Sequence, residues 1–368
     1  MPEYYKKILV RIATPYSTGT GFCLRSSNII ITSDHLVRDN QSVVVEGPCV
    51  ERQLVQVIYS DPKYDLAFLA LPKGVEVPEV ALSTIGEVNI GNPIMAVGYP
   101  FGMRFEMRRG HVTNAQYLQD DVHYVLHDAV MNPVYSGGPL IDKEGQIMAV
   151  NTFATWEEDA TGLSLPAKYL LALVEDFQAG AQREGMRCME CEKVVFSDSP
   201  SSKSCPNCPA PLQFPSVAKP YEPQGVAKTI EALLQQMGHQ VALSRIGPNT
   251  WQIQEGSAKI NISYYEKTGL IIGDAYLCRL PPLPSKPLQE YLLRQNYEIE
   301  NLTLSVKGTD IVLSLLIYDR YLNADTATSL FSHLFVKADY YDNVLVEEFG
   351  ATWIEEEEDD VDGLSIRQ

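Results

Sequence analysis

The sequence predicts a multidomain chain: an all-β first half, a small four-cysteine module and a C-terminal α+β domain. Three observations carry this. The first half breaks into short apolar or alternating runs, rich in Val and Ile and separated by Gly, Pro, Asn and Asp, the spacing of an all-β sandwich or barrel. Two Cys-x-x-Cys pairs, Cys188-Met189-Glu190-Cys191 and Cys205-Pro206-Asn207-Cys208, flank a short polar insert. Beyond a proline-rich stretch, helical and strand-like patterns alternate in the manner of an α+β layer domain. With 368 residues the chain has room for two or more domains, each with its own core. The boundaries read as an all-β domain over 1–180, the cysteine module over 181–212, a linker over 213–223, the α+β domain over 224–352 and an acidic tail over 353–368.

In order, the strand candidates of the first half are Lys7–Ala13, Thr20–Leu24, Ile29–Thr32, Ser42–Glu46, Gln53–Ser60, Leu66–Leu71, Pro93–Val97, Tyr124–Asp128 and Gln146–Asn151. The one helical run there is Ala167–Gln178, whose apolar residues recur at helical intervals.

Three segments carry chemistry-bearing residues. Thr32-Ser33-Asp34-His35-Leu36-Val37 and Asp61-Pro62-Lys63-Tyr64-Asp65-Leu66 precede Asn132-Pro133-Val134-Tyr135-Ser136-Gly137-Gly138-Pro139-Leu140. A serine hydroxyl is a poor nucleophile until a neutral imidazole takes its proton. The imidazole in turn needs a carboxylate to fix its tautomer and stabilise its cation. His35, Asp65 and Ser136 supply these groups, each in a strand-and-turn setting. The residue types alone leave open a second reading, with Ser136-Gly137-Gly138 a tight turn and His35 a core histidine. His123 and His127 lie nearby and read as solvated or core histidines.

Residues 5–178 resemble the HtrA/Deg branch of trypsin-like serine proteases. The matching segments are Ser17-Thr18-Gly19-Thr20-Gly21-Phe22, Asn28-Ile29-Ile30-Ile31-Thr32, Asp65-Leu66-Ala67-Phe68-Leu69, Ala96-Val97-Gly98-Tyr99-Pro100-Phe101-Gly102, the Ser136 segment, Asp142 through Thr152 and Gly162-Leu163-Ser164-Leu165-Pro166. The resemblance implies a trypsin-like double β-barrel, with His35 as general base, Asp65 as its orienting partner and Ser136 as nucleophile. It places the oxyanion hole at the backbone N–H groups of Val134 and Ser136. The family has glycine where this chain has Val134, and a β-branched residue restricts how that N–H is aimed. Activity is therefore expected to be conditional. The same resemblance assigns the substrate pocket to Val130, Asn151, Thr152 and Phe153. With no acid at Val130, a modest apolar residue before the scissile bond is expected rather than Lys or Arg. Tyr4-Tyr5-Lys6-Lys7 runs almost directly into the first strand, so control is expected from elsewhere than a propeptide.

The chain has seven cysteines. Cys23, Cys49 and Cys278 are scattered and read as small buried hydrophobes. Cys188, Cys191, Cys205 and Cys208 have zinc-ribbon spacing, and four thiolates satisfy tetrahedral Zn²⁺ with no open position. The expected zinc is structural, with a disulfide pair or iron as alternatives, and no metal catalysis is expected. Such a module is too small to fold without its metal. Its insert Ser197–Ser204 is serine-rich rather than basic, which suits a spacer or a docking role.

Pro209 to Pro223 is proline-rich, stiff and extended. Then follow a helix at Gly225–Gly238, strands at Gln240–Ile246, Thr250–Gln254, Ala258–Tyr264 and Leu270–Leu280, a helix at Lys286–Gln295, a hairpin of Asn301–Val306 and Asp310–Leu316, and a helix at Ala324–Tyr341. That order, with Leu288–Asn296, Ser314-Leu315-Leu316-Ile317-Tyr318 and Ala338-Asp339-Tyr340-Tyr341, resembles the type III secretion chaperone-like fold and its YbjN-like group. The resemblance implies a non-catalytic domain that dimerises and binds extended protein segments or a protein regulator.

Net charge is −18, which disfavours nonspecific nucleic-acid binding, and Glu355 through Asp360 reads as a solubilising tail. The N-terminus carries no apolar secretory segment and no run approaches membrane-spanning length, so a cytoplasmic protein is expected, unlike most bacterial members of the family. Two function classes stand: a serine endopeptidase acting on proteins or peptides, and a catalytically inactive adaptor that uses the protease fold for recognition.

Overall fold

Ile29, Ile30 and Ile31 are β-branched and fully buried, and they sit between two antiparallel neighbours in the first of two barrels. The computed structural model describes residues 2–83, 88–99, 105–129, 135–155, 161–197 and 204–354. The chain divides into two units, one of Met1–Tyr221 with Ile246–Pro248 and one of Glu222–Arg245 with Asn249–Gln368.

In the first unit a short helix α1 (Pro2–Ile8) leads into β1 (Leu9–Ala13), β2 (Thr18–Leu24) and β3 (Ile29–Thr32). A one-turn helix α2 (Asp34–Val37) follows, then β4 (Ser42–Gly47), β5 (Val50–Asp61) and β6 (Leu66–Ala70). The order β5-β4-β1-β2-β3-β6 closes through a β5–β6 pairing that sets Asp61 opposite Leu66. The second barrel comprises β7 (Pro93–Gly98), β8 (Glu106–Gln119), β9 (Val122–His127), β10 (Pro139–Ile141), β11 (Ile147–Thr155) and β12 (Thr161–Pro166), closed in the order β10-β11-β12-β9-β8-β7. Two closed six-strand antiparallel barrels agree with the expected double barrel. Helix α3 (Ala167–Ala179) buries Leu170, Leu173, Val174 and Phe177 against the shared core of Phe22, Tyr59, Phe68 and Val150.

Some elements depart from the sequence reading. Residues 2–8 are helical because Tyr5 and Ile8, three apart, bury on one face. The 14-residue strand β8 was not anticipated, because most of its side chains are polar or exposed and two register shifts interrupt its alternation.

After α3 the chain forms a hairpin of β13 (Gly185–Arg187) and β14 (Val194–Phe196). Strand β13 adds in parallel to β5, with Gly185 opposite Tyr59 and Met186 opposite Ser60, so the cysteine module is attached to the first barrel. Its own core is Met186, Cys188, Val195, Cys205, Ala210, Leu212 and Phe214.

The second unit has α4 (Gly225–Gln236), α5 (Val241–Ser244), the first residue of β15 (Arg245–Gly247), whose other two residues count with the first unit, then β16 (Thr250–Glu255), β17 (Ala258–Tyr265), β18 (Leu270–Arg279), α6 (Lys286–Glu298), β19 (Leu302–Lys307), β20 (Asp310–Tyr318), α7 (Ala324–Phe349) and β21 (Thr352–Trp353). Its antiparallel sheet runs β16-β17-β18-β20-β19, with helices packed over a core that includes Ile230, Leu234, Trp251, Phe331 and Leu334. The expected strand Gln240–Ile246 is instead a helical turn and a three-residue strand. The Gln240 carbonyl accepts from Leu243 and Ser244 amides, and Arg245 is held by the buried Glu231 carboxylate at 2.7 Å. Helix α7 runs past Tyr341 to Phe349, started by an Asn323–Thr326 capping box and ended at Gly350. Among the described residues no helix is long and apolar enough to cross a membrane.

Candidate active site

Strands β3 and β6 pair with Thr32 opposite Ala67, so the chain leaving β3 and the chain entering β6 emerge side by side. This register brings His35, on α2, next to Asp65, in the turn before β6. Asp65 accepts two bonds from the same residue: His35 Nδ1 lies 2.7 Å from Oδ2, and the His35 backbone N–H donates to Oδ1 at 2.9 Å. Both the ring and the backbone of His35 are thereby oriented. Asp65 adopts a left-handed φ of 50°, a conformation Asp tolerates better than most residues. Behind the pair, fully buried Asp34 accepts from Ser60 Oγ at 2.5 Å and from Arg38 at 2.6 Å. Burial pushes the Asp34 carboxyl up, and Ser60 and Arg38 counter it only in part.

Ser136 is carried by the second barrel but tied to the first. Its carbonyl accepts from Thr20 N–H at 3.0 Å, and Gly137 N–H donates to Asn151 at 2.7 Å. Gly137 has φ +83°, and a Cβ there would meet Thr20 O at 2.1 Å and Thr32 Oγ1 at 2.4 Å. The serine turn thus requires glycine for two independent reasons. Thr32 Oγ1 donates to Thr20 O at 2.8 Å, and Thr20 Oγ1 accepts from Tyr99 N–H at 3.0 Å, so one residue of β2 joins the two barrels at the site.

The Ser136 hydroxyl donates to the Thr152 carbonyl at 2.5 Å. Asn151 pairs with Ser164 and Phe153 with Leu163, which leaves Thr152 as the bulged residue of β11, its carbonyl turned out of the ladder. His35 and Asp65 are in bonding contact, whereas the serine hydroxyl points to a backbone acceptor. For Ser136 to pass its proton to His35, this bond has to open.

Tyr135, next to Ser136 in sequence, turns its side chain into the core of the second barrel. Its ring is buried with Ile94, Leu140 and Ala149, and its hydroxyl donates to Glu106 at 2.9 Å. Val130 and Val134 lie outside the described residues, as does the side chain of Phe153. Asn151 is fully buried, with its amide donating to Pro139 O at 3.3 Å and its oxygen accepting from Ser164 Oγ at 2.9 Å. His127 continues that chain at 3.0 Å from Ser164. Because Ser164 donates to Asn151, His127 uses Nε2–H as donor, and its buried Nδ1 has no partner among the described residues. Burial therefore pulls the His127 pKa down to about 4. His127 is a core histidine, as the sequence suggested. The bulged Thr152 carbonyl and the joining role of Thr20 have no side-chain signature and were not anticipated.

The thiols of Cys188, Cys191, Cys205 and Cys208 all lie within 4.8 Å of one another. Cys188 and Cys208 are 3.5 Å apart and Cys191 and Cys205 3.7 Å. Tetrahedral zinc with bonds of about 2.3 Å places its thiolates about 3.8 Å apart, so the donor set fits the ion. At Cys205 burial opposes ionisation, but the Asn207 and Cys208 amides and the neighbouring thiols outweigh it and bring the pKa to about 6. Cys23 and Cys278 are buried and Cys49 partly so.

Comparisons with known proteins find matches within the first half of the chain. The model of the trypsin-like peptidase domain matches residues 19–150. "Serine protease HTRA2, mitochondrial" of Bos taurus is 31% identical over 145 residues, which is 38% of this chain and 32% of that protein. "Serine protease HTRA4" of Mus musculus is 27% identical over 172 residues, 44% of this chain and 35% of that protein. "Probable periplasmic serine endoprotease DegP-like" of Chlamydia pneumoniae is 31% identical over 138 residues, 36% and 28% respectively. The chain thus spans about a third of the length of the curated relatives it matches. Among solved structures, a serine endoprotease from Yersinia pestis aligns at TM-score 0.43 and 20% identity, covering 47% of this chain and 64% of that one. Residues 19–150 thus match the trypsin-like peptidase domain model and are similar in sequence to serine proteases of the HtrA and DegP-like kind.

Proposed function

We propose that this protein is a serine endopeptidase that hydrolyses protein or peptide substrates. The observation that carries the reading is the doubly bonded His35–Asp65 pair, on a domain whose Ser136 sits in a glycine-dependent turn anchored across both barrels. Asp65 holds the Nδ1–H tautomer of His35, leaving Nε2 free to accept the Ser136 proton as Oγ attacks the scissile carbonyl. The same imidazole then protonates the leaving amine, and water resolves the acyl-enzyme by the reverse proton path. The backbone N–H groups of Ser136 and Val134 serve as oxyanion donors, and Val130, Asn151, Thr152 and Phe153 border the substrate.

The Ser136–Thr152 bond favours one second reading, an adaptor that binds extended segments without cutting them. Incubating the chain with an unfolded protein separates the two. Cleavage products that vanish in Ser136→Ala support the peptidase; binding without cleavage by the unaltered chain supports the adaptor.

Zinc held by Cys188, Cys191, Cys205 and Cys208 belongs to the same proposal as a structural ion. The second unit, an α+β domain, is assigned a targeting or regulatory role through a bound protein or a second copy of the chain. A reducing, cytoplasmic location is consistent with seven cysteines that form no disulfide among the described residues.

A further inference from the structure

Beyond the β13–β5 pairing, the four-cysteine module reaches the turn from Asp61 to Asp65 of the first barrel. Asp61 is fully buried at the end of β5. Its carboxylate accepts from Tyr64 N–H at 3.2 Å and Tyr59 Oη at 3.1 Å, so it caps the turn one residue before Asp65. Its charge partner comes from 126 residues further along the chain: Arg187 Nε lies 3.0 and 2.9 Å from its two oxygens. Arg187 immediately precedes Cys188. Its guanidinium lies 4.8 Å from the Tyr64 ring centroid, and its Nη1 donates at 2.5 Å to the carbonyl of Glu192, the residue after Cys191. The Glu192 amide donates to Cys188 O at 2.8 Å and Cys188 N–H to Lys193 O at 3.0 Å, which closes the first knuckle. Lys63, inside the turn, pairs with the Glu192 carboxylate.

From these contacts we propose that the cysteine knuckle is a metal-dependent clamp on the turn bearing Asp65, with Arg187 as the positioning residue. The inference rests on the peptidase reading and adds a control to it. With metal bound, the knuckle presents the Glu192 carbonyl, which aims Arg187 at Asp61. Asp61 then holds Tyr64, and Asp65 follows at the distance that orients His35. Without metal the knuckle loses its fold, Arg187 loses an acceptor, and the buried Asp61 carboxylate is left without its counter-charge. The turn then relaxes and His35 loses its partner. The module thus couples metal occupancy to the site.

The test uses the full chain. Three quantities are measured: bound zinc, the downfield proton resonance of the His35 Nδ1–H···Asp65 bond, and the rate of fluorophosphonate labelling at Ser136. Arg187→Met is expected to keep its zinc yet lose the resonance and label about 100-fold more slowly, the scale of a small misplacement of a catalytic group. Arg187→Lys, which keeps the charge, is expected to recover part of both. Stripping zinc from the unaltered chain should abolish the resonance while the far-ultraviolet signal of the barrels persists, and adding zinc back should restore it. The proposal is overturned if the resonance survives in Arg187→Met or in stripped protein, if purified chain holds no metal at the four cysteines, or if stripping unfolds the barrels as a whole. The resonance decides the outcome even if Ser136 never labels, a result that counts against the peptidase reading alone.

Discussion

Asp65→Asn is the most informative single substitution at the site. The carboxylate has two tasks, accepting His35 Nδ1–H at 2.7 Å and the His35 backbone N–H at 2.9 Å. Asparagine keeps one acceptor, sufficient for the backbone bond, so fold stability should change by only about 1 kcal/mol. Its NH₂ then faces the ring and turns Nδ1 into an acceptor. The proton moves to Nε2, where it blocks uptake of the Ser136 proton. Loss of the correct tautomer and of cation stabilisation costs a triad of this kind about 10⁴ in rate. At 1.36 kcal/mol per tenfold, that is about 5 kcal/mol of barrier. Asp34 offers no substitute, since its carboxylate is engaged by Ser60 and Arg38. The assay is the second-order rate of fluorophosphonate labelling, with thermal melting run alongside. Labelling of the variant within tenfold of the unaltered chain would refute the claim that Asp65 sets the tautomer.

Other predictions follow from the same geometry. Gly137→Ala forces a Cβ to within 2.1 Å of Thr20 O at φ +83°, so it should destabilise the first unit by about 3 kcal/mol or more and abolish labelling; calorimetry checks the first part. His127 has its pKa depressed to about 4 from an ordinary 6.5, so the unfolded chain binds its proton first as pH falls. Its contribution is therefore intact above pH 6.5, is lost progressively down to about pH 4, and amounts to roughly 3 kcal/mol. Urea melts of the unaltered chain and His127→Gln should diverge in slope against pH across that window, and parallel curves would contradict it. Cobalt(II) loaded in place of zinc should show the intense tetrahedral thiolate spectrum, which Cys191→Ser should alter without shifting the second unit's melting.

Legibility in the sequence followed how local each signal was. His35, Asp65 and Ser136 stood out because a reactive side chain sat within a short run of strand and turn residues. The buried Ile29–Ile31 run and the two Cys-x-x-Cys pairs are local in the same sense. Strand β8 was not legible, since Glu106–Gln119 twists through two register shifts and turns most of its side chains to solvent. Gln240–Ile246 read as a strand, yet a Gln240 carbonyl accepting two amides, together with Glu231's hold on Arg245, made most of it a helical turn. The serine's resting acceptor is a backbone carbonyl exposed by a bulge, which no side chain announces. The Asp61–Arg187 pair joins positions too far apart for any periodicity to reveal. Tyr135, beside Ser136 in sequence, proved to belong to the barrel core.

The central claim is that Ser136 becomes nucleophilic through His35 and Asp65. It is tested most directly by intact-mass measurement of the full chain after exposure to a fluorophosphonate, with and without an unfolded protein present. The account predicts a single adduct on Ser136 that is absent from Ser136→Ala and from His35→Ala. An adduct that persists in Ser136→Ala, or none in the unaltered chain under either condition, would contradict it.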